Sequence, residues 1–486
     1  MLPLLKSATE IAADLRAGRC SSRELVDAYM QRIERSAEAL NAVVVRRFDE
    51  ARAEASAADD ARVKGRSHGQ LAGVPVTIKE AFDVAGLPTT FGHTDRAGHR
   101  AASDAVAVAR LRAAGAIVMG KTNVPKDLAD WQSFNDVYGV TRNPWDQSRT
   151  PGGSSGGSAA ALAAGLTALE LGSDIAGSIR VPAVYCGVYG HKPTFNIVPT
   201  RGHSLVEGAV PSDISVSGPL ARSAVDLELA LDITAGADHL EPGMAGWRLA
   251  LPQETRSAAR EFRVAVVDTD AHYPVDGSIR SALGALADHL EKEGAQVDRS
   301  PKLPIGSEEG YELFITLLRG ATSARYTVAE VEALVAKAKS YPADDNGYDA
   351  LMHRGWTQTH RGWLAANERR QALRRGWRAF FERYDALICP VTNTPPFPHM
   401  IGVPKIEQFF IVDGKKRPAS DYYYWIGIPA LSYLPATALP IGSSPEGLPV
   451  GAQIIGPEFG DKRCLRLAQI IERSFRSFIP PPAYAV

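Results

Sequence analysis

The sequence predicts an α/β protein: one large, mixed, twisted β-sheet covered by helices on both faces. Three observations predict it. Short apolar runs of strand character alternate with helical segments along the whole length. No Ser/Pro/Gly-rich linker divides the 486 residues, so one large unit is expected rather than two domains. The balance of 45% hydrophobic and 22% charged residues suits a globular chain with an extensive core.

The elements follow in order. Ser7–Ala17 has helical spacing, and Ser21 with Glu24 reads as a capping box opening a helix through about Ser36. A further helix is expected over 46–63. Val74–Ile78 reads as a short buried strand that leaves Lys79 at its end. Ser103–Ala114 suggests a helix stopped by Gly115, with a strand from Ala116 to Met119. Residues 123–143 are mixed and loop-rich. A helix is expected from Ser158 to Ala164, a strand from Leu166 to Leu171, and a turn over Gly172–Arg180. Residues 230–262 carry the weakest pattern and read as a surface excursion. Arg263–Val267 is a strand, and Ile279–Glu291 a helix closed by Gly294. Residues 359–382 form a long basic amphipathic helix whose Trp363, Trp377, Phe380 and Phe381 make a packing stripe. Tyr384–Pro390, and segments around Ala438 and Gln453 within a Gly/Pro-rich region, complete the strands. Ala468–Phe475 belongs to the last helix.

Composition excludes several classes. Lys plus Arg number 54 and Asp plus Glu 55, so the net charge of -1 gives no electrostatic reason to expect nucleic acid or an anionic membrane as partner. Cys20, Cys186, Cys389 and Cys464 lie far apart without metal-ligand spacing and read as reduced, mostly buried thiols. No signal-peptide pattern opens the chain and no uncharged apolar run would span a bilayer, so a cytoplasmic protein is expected.

The stretch TPGGSSGGSAAALAAG, Thr150 to Gly165, sets four glycines around two serines before an alanine-rich helix. Such density implies backbone brought close to something. It lacks the Gly-Lys-Ser/Thr of a P-loop and the preceding strand of a dinucleotide fingerprint. It matches G-x-S-x-G on both Ser154 and Ser155, a match of little weight in a Gly/Ser string. His191 sits in a turn context and reads as structural or exposed. His353 and His360, seven apart, suggest a shared helix face but have no third ligand, so a metal site is not expected.

Three segments remain together: VTIKE with Lys79, TPGGSSGG with Ser154, and GSDIAGSIR with Ser178. With LAGVPVTIKE, GAIVMGKTN, TRNPWD, SGPLARS, LPATALPIG and GLPVGAQIIGP, they give a long ordered motif set that resembles the amidase signature family, densest over 71–228. The resemblance implies the amidase signature fold as one domain over 1–486, with core motifs at 71–228 and a variable half, 229–486, shaping the pocket. It implies Ser178 as nucleophile, Ser154 as bridging serine after a cis peptide, and Lys79 as base. The backbone N–H groups of Ile175, Ala176, Gly177 and Ser178 match the oxyanion hole. Ser155 matches a neighbouring hydrogen-bonding serine. Position 176 holds alanine where the family commonly has glycine, tolerable if φ is negative. No metal or organic cofactor is implied.

The chemistry is coherent without the family. Amide hydrolysis needs an activated nucleophile and a stabilised oxyanion. A neutral lysine can take a serine proton, but free lysine has a pKa of about 10.4 and must be buried to lower it. A serine between them can relay the proton both ways. Asp174 and Arg180 are expected to clamp the loop, and Thr150, Ser155 and Asn123 to support it. Trp131, Phe134, Tyr424 and Trp425 are candidate walls of an apolar pocket, with core packing the competing reading. A small-molecule linear carboxamide, hydrophobic or aryl, is the expected substrate. An ester- or carbamate-cleaving enzyme is the alternative. A tRNA-dependent amidotransferase component is less favoured, because NVPKDLADWQSFNDVYG (123–139) lacks that branch's wording. A monomer or homodimer is expected.

Overall fold

A computed structural model describes residues 3–66, 69–205, 212–240 and 246–485. The apolar runs become fifteen strands among these residues: β1 (Val43–Arg46), β2 (Pro75–Lys79), β3 (Ile117–Thr122), β4 (Phe134–Asn135), β5 (Gly139–Val140), β6 (Leu169–Asp174), β7 (Tyr189–Lys192) and β8 (Val216–Ala221). After them come β9 (Arg263–Val266), β10 (Gln296–Asp298), β11 (Ala386–Pro390), β12 (Phe409–Val412), β13 (Lys415–Pro418), β14 (Ala436–Ser443) and β15 (Pro449–Ile455). Eleven of them form one sheet in the order β1-β3-β2-β6-β8-β7-β14-β15-β11-β9-β10. β4–β5 and β12–β13 are separate hairpins.

The sheet is mixed, as expected, and helices flank both faces. β2 lies between β3 and β6, parallel to both. β6 and β8, β7 and β8, and β14 with β7 pair antiparallel. The β7–β14 pairing draws strands from both halves of the chain into one sheet. β2, β3, β6, β8 and β15 are buried along their whole length, which explains their unbroken apolar or small-residue character.

Local signals set most helix ends. The Ser21–Glu24 capping box opens Ser22–Leu40, which runs one turn past the expected Ser36 to Asn41 in the left-handed region, φ 50°. The 46–63 helix starts at Phe48 because the preceding residues form β1. The long basic helix spans His360–Arg383 from an N-cap at Thr359 and buries Trp377, Phe380 and Phe381.

Two expectations are corrected. His191 is the structural residue and not an exposed one, but it does not lie in a turn: it is on β7, fully buried, its ring between Thr437 Oγ1 at 2.9 Å and Asp461 Oδ1 at 3.1 Å. Pairing with β14 draws that segment into the sheet. His353 and His360 share no helix face, because Tyr348–Trp356 ends before Thr359 caps the next helix.

β6 starts at Leu169, not Leu166, and runs to Asp174 into the expected turn, so Ser173 and Asp174 stand at a strand end. Residues 246–258 lack regular structure and are mostly exposed, while 241–245 of the expected excursion lie outside the described residues. Cys186, Cys389 and Cys464 are buried free thiols and Cys20 is half-buried. Among the described residues no helix is long and apolar enough to cross a membrane.

Candidate active site

The site assembles where parallel β2 and β6 end, the edge at which open α/β sheets gather functional loops. β2 delivers Lys79 and β6 delivers Ser173 and Asp174. The Gly-Ser loop crosses in front of them and enters the helix Gly156–Ala163. The segment 175–179 turns back into the helix Arg180–Cys186.

Lys79 is fully buried. Its Nζ donates to Ser154 Oγ at 2.7 Å and to Ser173 Oγ at 2.9 Å. Desolvation lowers its pKa to about 7, against the opposing pull of Asp174 and Glu170. A lysine in that range is available as a neutral base near physiological pH. Beneath it, burial pushes the Glu170 carboxyl up to about 8, although Thr77 donates a hydrogen bond to it. Sequence reasoning singled out neither Ser173 nor Glu170. The signal for Ser173 was its place beside Asp174 in GSDIAGSIR; Glu170 reads as an ordinary charged residue until β6 is known to be buried.

The Gly153–Ser154 peptide is cis, as the resemblance implies. The glycine density has a spatial cause: a Cβ on Gly153 would lie 2.4 Å from the Asp130 carbonyl oxygen. Ser155 N–H donates to the Ser178 carbonyl at 3.1 Å, which clasps the two loops together, and Ser155 Oγ donates to the Ser173 carbonyl at 3.4 Å. Thr150 Oγ1 donates to the Trp131 carbonyl and accepts from Gly152 N–H at 3.0 Å. Asn123 donates to the Gly139 carbonyl and to Thr141, and accepts from Val124 N–H and Asn135, holding the β3 exit and the β4–β5 hairpin.

Asp174 is the hub of the loop carrying Ser178. Its carboxylate accepts from Gly177 N–H at 2.8 Å, Ile179 N–H at 3.1 Å, and Arg180 Nε and Nη2, both at 3.0 Å. Burial alone would raise its pKa, but Arg180 and these amides hold it below the usual carboxylate range. Arg180, itself fully buried, also donates to the Ile426 carbonyl at 3.0 Å and Gln453 Oε1 at 2.8 Å. The ion pair thus bolts the loop to the helix Tyr422–Leu431 and to β15.

Gly177 has φ +86°, and a Cβ there would meet Ile426 at 2.8 Å and Val181 at 2.9 Å, so only glycine fits. Ala176 is not among the residues with positive φ, which accounts for the alanine. The Gly177 amide is taken by Asp174. Among the described residues the N–H groups of Ile175, Ala176 and Ser178 have no internal acceptor. Ser178 is 6% exposed, and its Oγ has no hydrogen-bond partner among the described residues.

Of the four candidate pocket residues, Trp131 meets the loop: its indole N–H donates to the Ala176 carbonyl at 3.1 Å. Phe134 lies on β4, half-buried, paired with Val140. Tyr424 and Trp425 turn toward Tyr273, one stacking on its ring at 4.6 Å and the other donating to its carbonyl at 3.1 Å. Their neighbours Tyr422 and Tyr423 pack on Trp131 instead, at 5.2 and 4.8 Å. The helix is apolar all round, so its pattern does not say which side faces the loop.

A family model described as Amidase matches residues 24–465. The chain belongs to the amidase signature family. An indoleacetamide hydrolase of Bradyrhizobium diazoefficiens is 32% identical over 475 residues, covering 96% of this chain and 86% of that protein. A glutamyl-tRNA(Gln) amidotransferase component of Anaeromyxobacter sp. is 33% identical over 510 residues, 97% of each. The crystal structure of a bacterial aryl acylamidase of the amidase signature enzymes superposes with a TM-score of 0.79 at 26% identity, covering 97% of this chain and 96% of that one. Family membership carries hydrolase chemistry on carboxamides in general. The relatives diverge in what they act on. Among the described residues no cluster of His, Cys, Asp and Glu is arranged to hold a metal ion.

Proposed function

We propose that the chain is a stand-alone amidohydrolase that cleaves a linear carboxamide of hydrophobic or aryl character through a serine acyl-enzyme. The observation that carries the reading is a desolvated Lys79 hydrogen-bonded to Ser154, beside a loop that presents Ser178 with unpaired backbone N–H groups.

In this mechanism Ser178 Oγ attacks the amide carbon. Its proton passes to Ser154 Oγ as Ser154 gives its own to neutral Lys79. The carbonyl oxygen becomes an oxyanion that accepts from the N–H groups of Ile175, Ala176 and Ser178, each worth about 3–4 kcal/mol in the transition state. Gly177, the fourth expected donor, instead shapes the loop through Asp174. The C–N bond breaks, the amine leaves with the proton returned through Ser154, and the acyl group remains on Ser178. Water then attacks that ester, loses its proton into the same relay and releases the acid. The Ser154–Ser178 contact closes when substrate seats, as catalytic hydrogen bonds commonly tighten in the Michaelis complex.

The aromatic surroundings of Trp131, Tyr422 and Tyr423 support an apolar or aryl substrate, as does the similarity to a protein named for an indole acetamide. Carbamates and esters enter the same machinery by the same steps. A second reading, a component of a tRNA-dependent amidotransferase, is favoured by relatives of that name at 30–33% identity.

The test is activity of the purified chain alone against aryl amides, long-chain primary amides, short aliphatic amides and an aryl carbamate, with partner-dependent tRNA amidation as a separate arm. Turnover of an aryl or long apolar amide, lost in Ser178→Ala, is expected. Silence on every simple amide with activity only in the partner-dependent arm would overturn the stand-alone reading.

A further inference from the structure

Beyond the nucleophile loop, one cluster of side chains has a charge imbalance that the proposed chemistry does not use. Arg319, on the helix Ser307–Ala321, stacks between the rings of Tyr348, Trp356 and Tyr423 at 5.6, 5.3 and 5.3 Å. Its Nη2 donates to the hydroxyls of Tyr348 and Tyr423, the latter at 2.8 Å. Among the described residues its buried Nε has no hydrogen-bond partner. Gly355 permits this approach, since a Cβ there would meet Arg319 Cβ at 2.6 Å.

Lys405 reaches the same place from the other side. Its ammonium lies 4.4 Å from the Trp131 ring centre and 5.6 Å from that of Tyr423, and donates to the Ala129 carbonyl at 2.9 Å. Among the described residues neither cation has a carboxylate partner, whereas the buried guanidiniums of Arg180 and Arg370 do, in Asp174 and Asp213. Both cations are half-buried, and held against aromatic rings without a carboxylate they leave positive charge that an anion can complete. Burial alone would raise the Tyr423 phenol, but Arg319 and Lys405 together pull it down. Even an ionised Tyr423 leaves one positive charge unbalanced.

The place of the cluster gives it a role. Trp131, which carries Lys405 on its face, donates its indole N–H to the Ala176 carbonyl in the loop of Ser178. Tyr423 packs on the same indole. Lys405 is therefore one ring removed, and Arg319 two, from the loop that would bind the scissile carbonyl.

We propose that Arg319 and Lys405 form a carboxylate-binding subsite next to the nucleophile loop, so that the substrate is an amide with an aromatic body and an anionic far end. This rests on the amidase reading and narrows its substrate class. A guanidinium suits a planar carboxylate, and in this proposal the aromatic body lies against the packed rings of Trp131, Tyr348 and Tyr423.

The test uses isosteric pairs that differ in charge: 4-carbamoylbenzoate against 4-nitrobenzamide, and 4-(carbamoylmethyl)benzoate against 2-(4-nitrophenyl)acetamide. Binding is measured by calorimetry to the Ser178→Ala chain, and turnover with the unsubstituted chain. At least one carboxylate member is expected to bind about 10-fold or more tighter than its nitro partner, the worth of one charge-assisted hydrogen bond. The difference should appear in KM rather than kcat. Arg319→Gln, and Lys405→Gln on its half-exposed loop, each remove that preference while nitro-amide affinity stays within about 3-fold. Equal binding of both members at each length overturns the subsite, as does an equal loss for both members in both variants, which would mean that the cations only brace the helices. Because binding is read without chemistry, absence of turnover with carboxylate preference intact would count against the amidase reading and not the subsite.

Discussion

Replacing Lys79 by methionine separates the chemistry of the site from its cost to the fold. The lysine is fully buried, and desolvation takes its pKa from an ordinary 10.5 to about 7. Holding its charged form there costs about 5 kcal/mol. In the unfolded chain the side chain keeps its proton up to about 10.5, whereas the folded chain releases it above about 7. Between these values the unfolded state binds the extra proton, so this lysine's contribution to stability rises with pH and is least favourable below 7. Wild type should therefore gain about 2–3 kcal/mol on Lys79→Met between pH 7 and 9. Lys121 and Lys192, lowered by burial to about 8 and about 7, titrate in both proteins and cancel in the difference. At pH 7 methionine avoids the desolvation but forfeits hydrogen bonds to Ser154 and Ser173, about 1 kcal/mol each, leaving the variant about 2–3 kcal/mol more stable. Denaturant midpoints at pH 7, 8 and 9 measure this. The same substitution should lower kcat by about 10²–10⁴ and abolish the rise of wild-type rate with pH through about 7. A variant that stays active with the same pH profile, or whose stability depends on pH as wild type does, would refute the assignment of Lys79 as a buried neutral base.

Three further outcomes follow from the geometry. Ser154→Ala should reduce kcat by about 10²–10⁴ with KM little changed, since Lys79 keeps Ser173 but loses the relay; steady-state kinetics decides, and an unchanged kcat means that the lysine acts directly. Asp174→Asn strands the buried Arg180 and should cost about 3–5 kcal/mol in denaturant unfolding, an outcome contradicted by an unchanged midpoint. Gly177→Ala forces a side chain into φ +86° against Ile426 and Val181 and should cost about 1–3 kcal/mol together with most of kcat. Wild-type thermal stability and rate in that variant would show that the loop geometry at 177 is dispensable.

How much of this was legible in the sequence depends on where the information resides. The Ser21 capping box, the short β-run before Lys79 and the glycine stop after residue 114 are local, and the structure follows them. β8 was visible only as the motif SGPLARS, because a strand buried on both faces and holding Gly218 and Pro219 shows no alternation. The helix Tyr422–Leu431 was equally opaque. It contains Pro429 and is apolar on every side, so its period does not show that Tyr422 and Tyr423 pack on Trp131 while Tyr424 and Trp425 turn to Tyr273. Ser154, Lys79 and the Asp174–Arg180 pair were singled out because each sits in a motif that resembles the family's, and close backbone approach at Gly153 and Gly177 explains the small residues beside two of them. Ser173 and Glu170 acquire meaning only from the β2–β6 register, which sets Thr77 opposite Glu170. Arg319 and Lys405 lie far apart in the chain, on a helix and a loop, and only the tertiary fold brings them to one ring.

The central claim is that Ser178 forms the covalent bond. A fluorophosphonate probe incubated with the purified chain, followed by peptide mass mapping, tests it most directly. The account predicts a single adduct on Ser178, absent from Ser178→Ala and formed much more slowly in Lys79→Met. An adduct on Ser154 or Ser155, or labelling of Ser178→Ala equal to wild type, would contradict it.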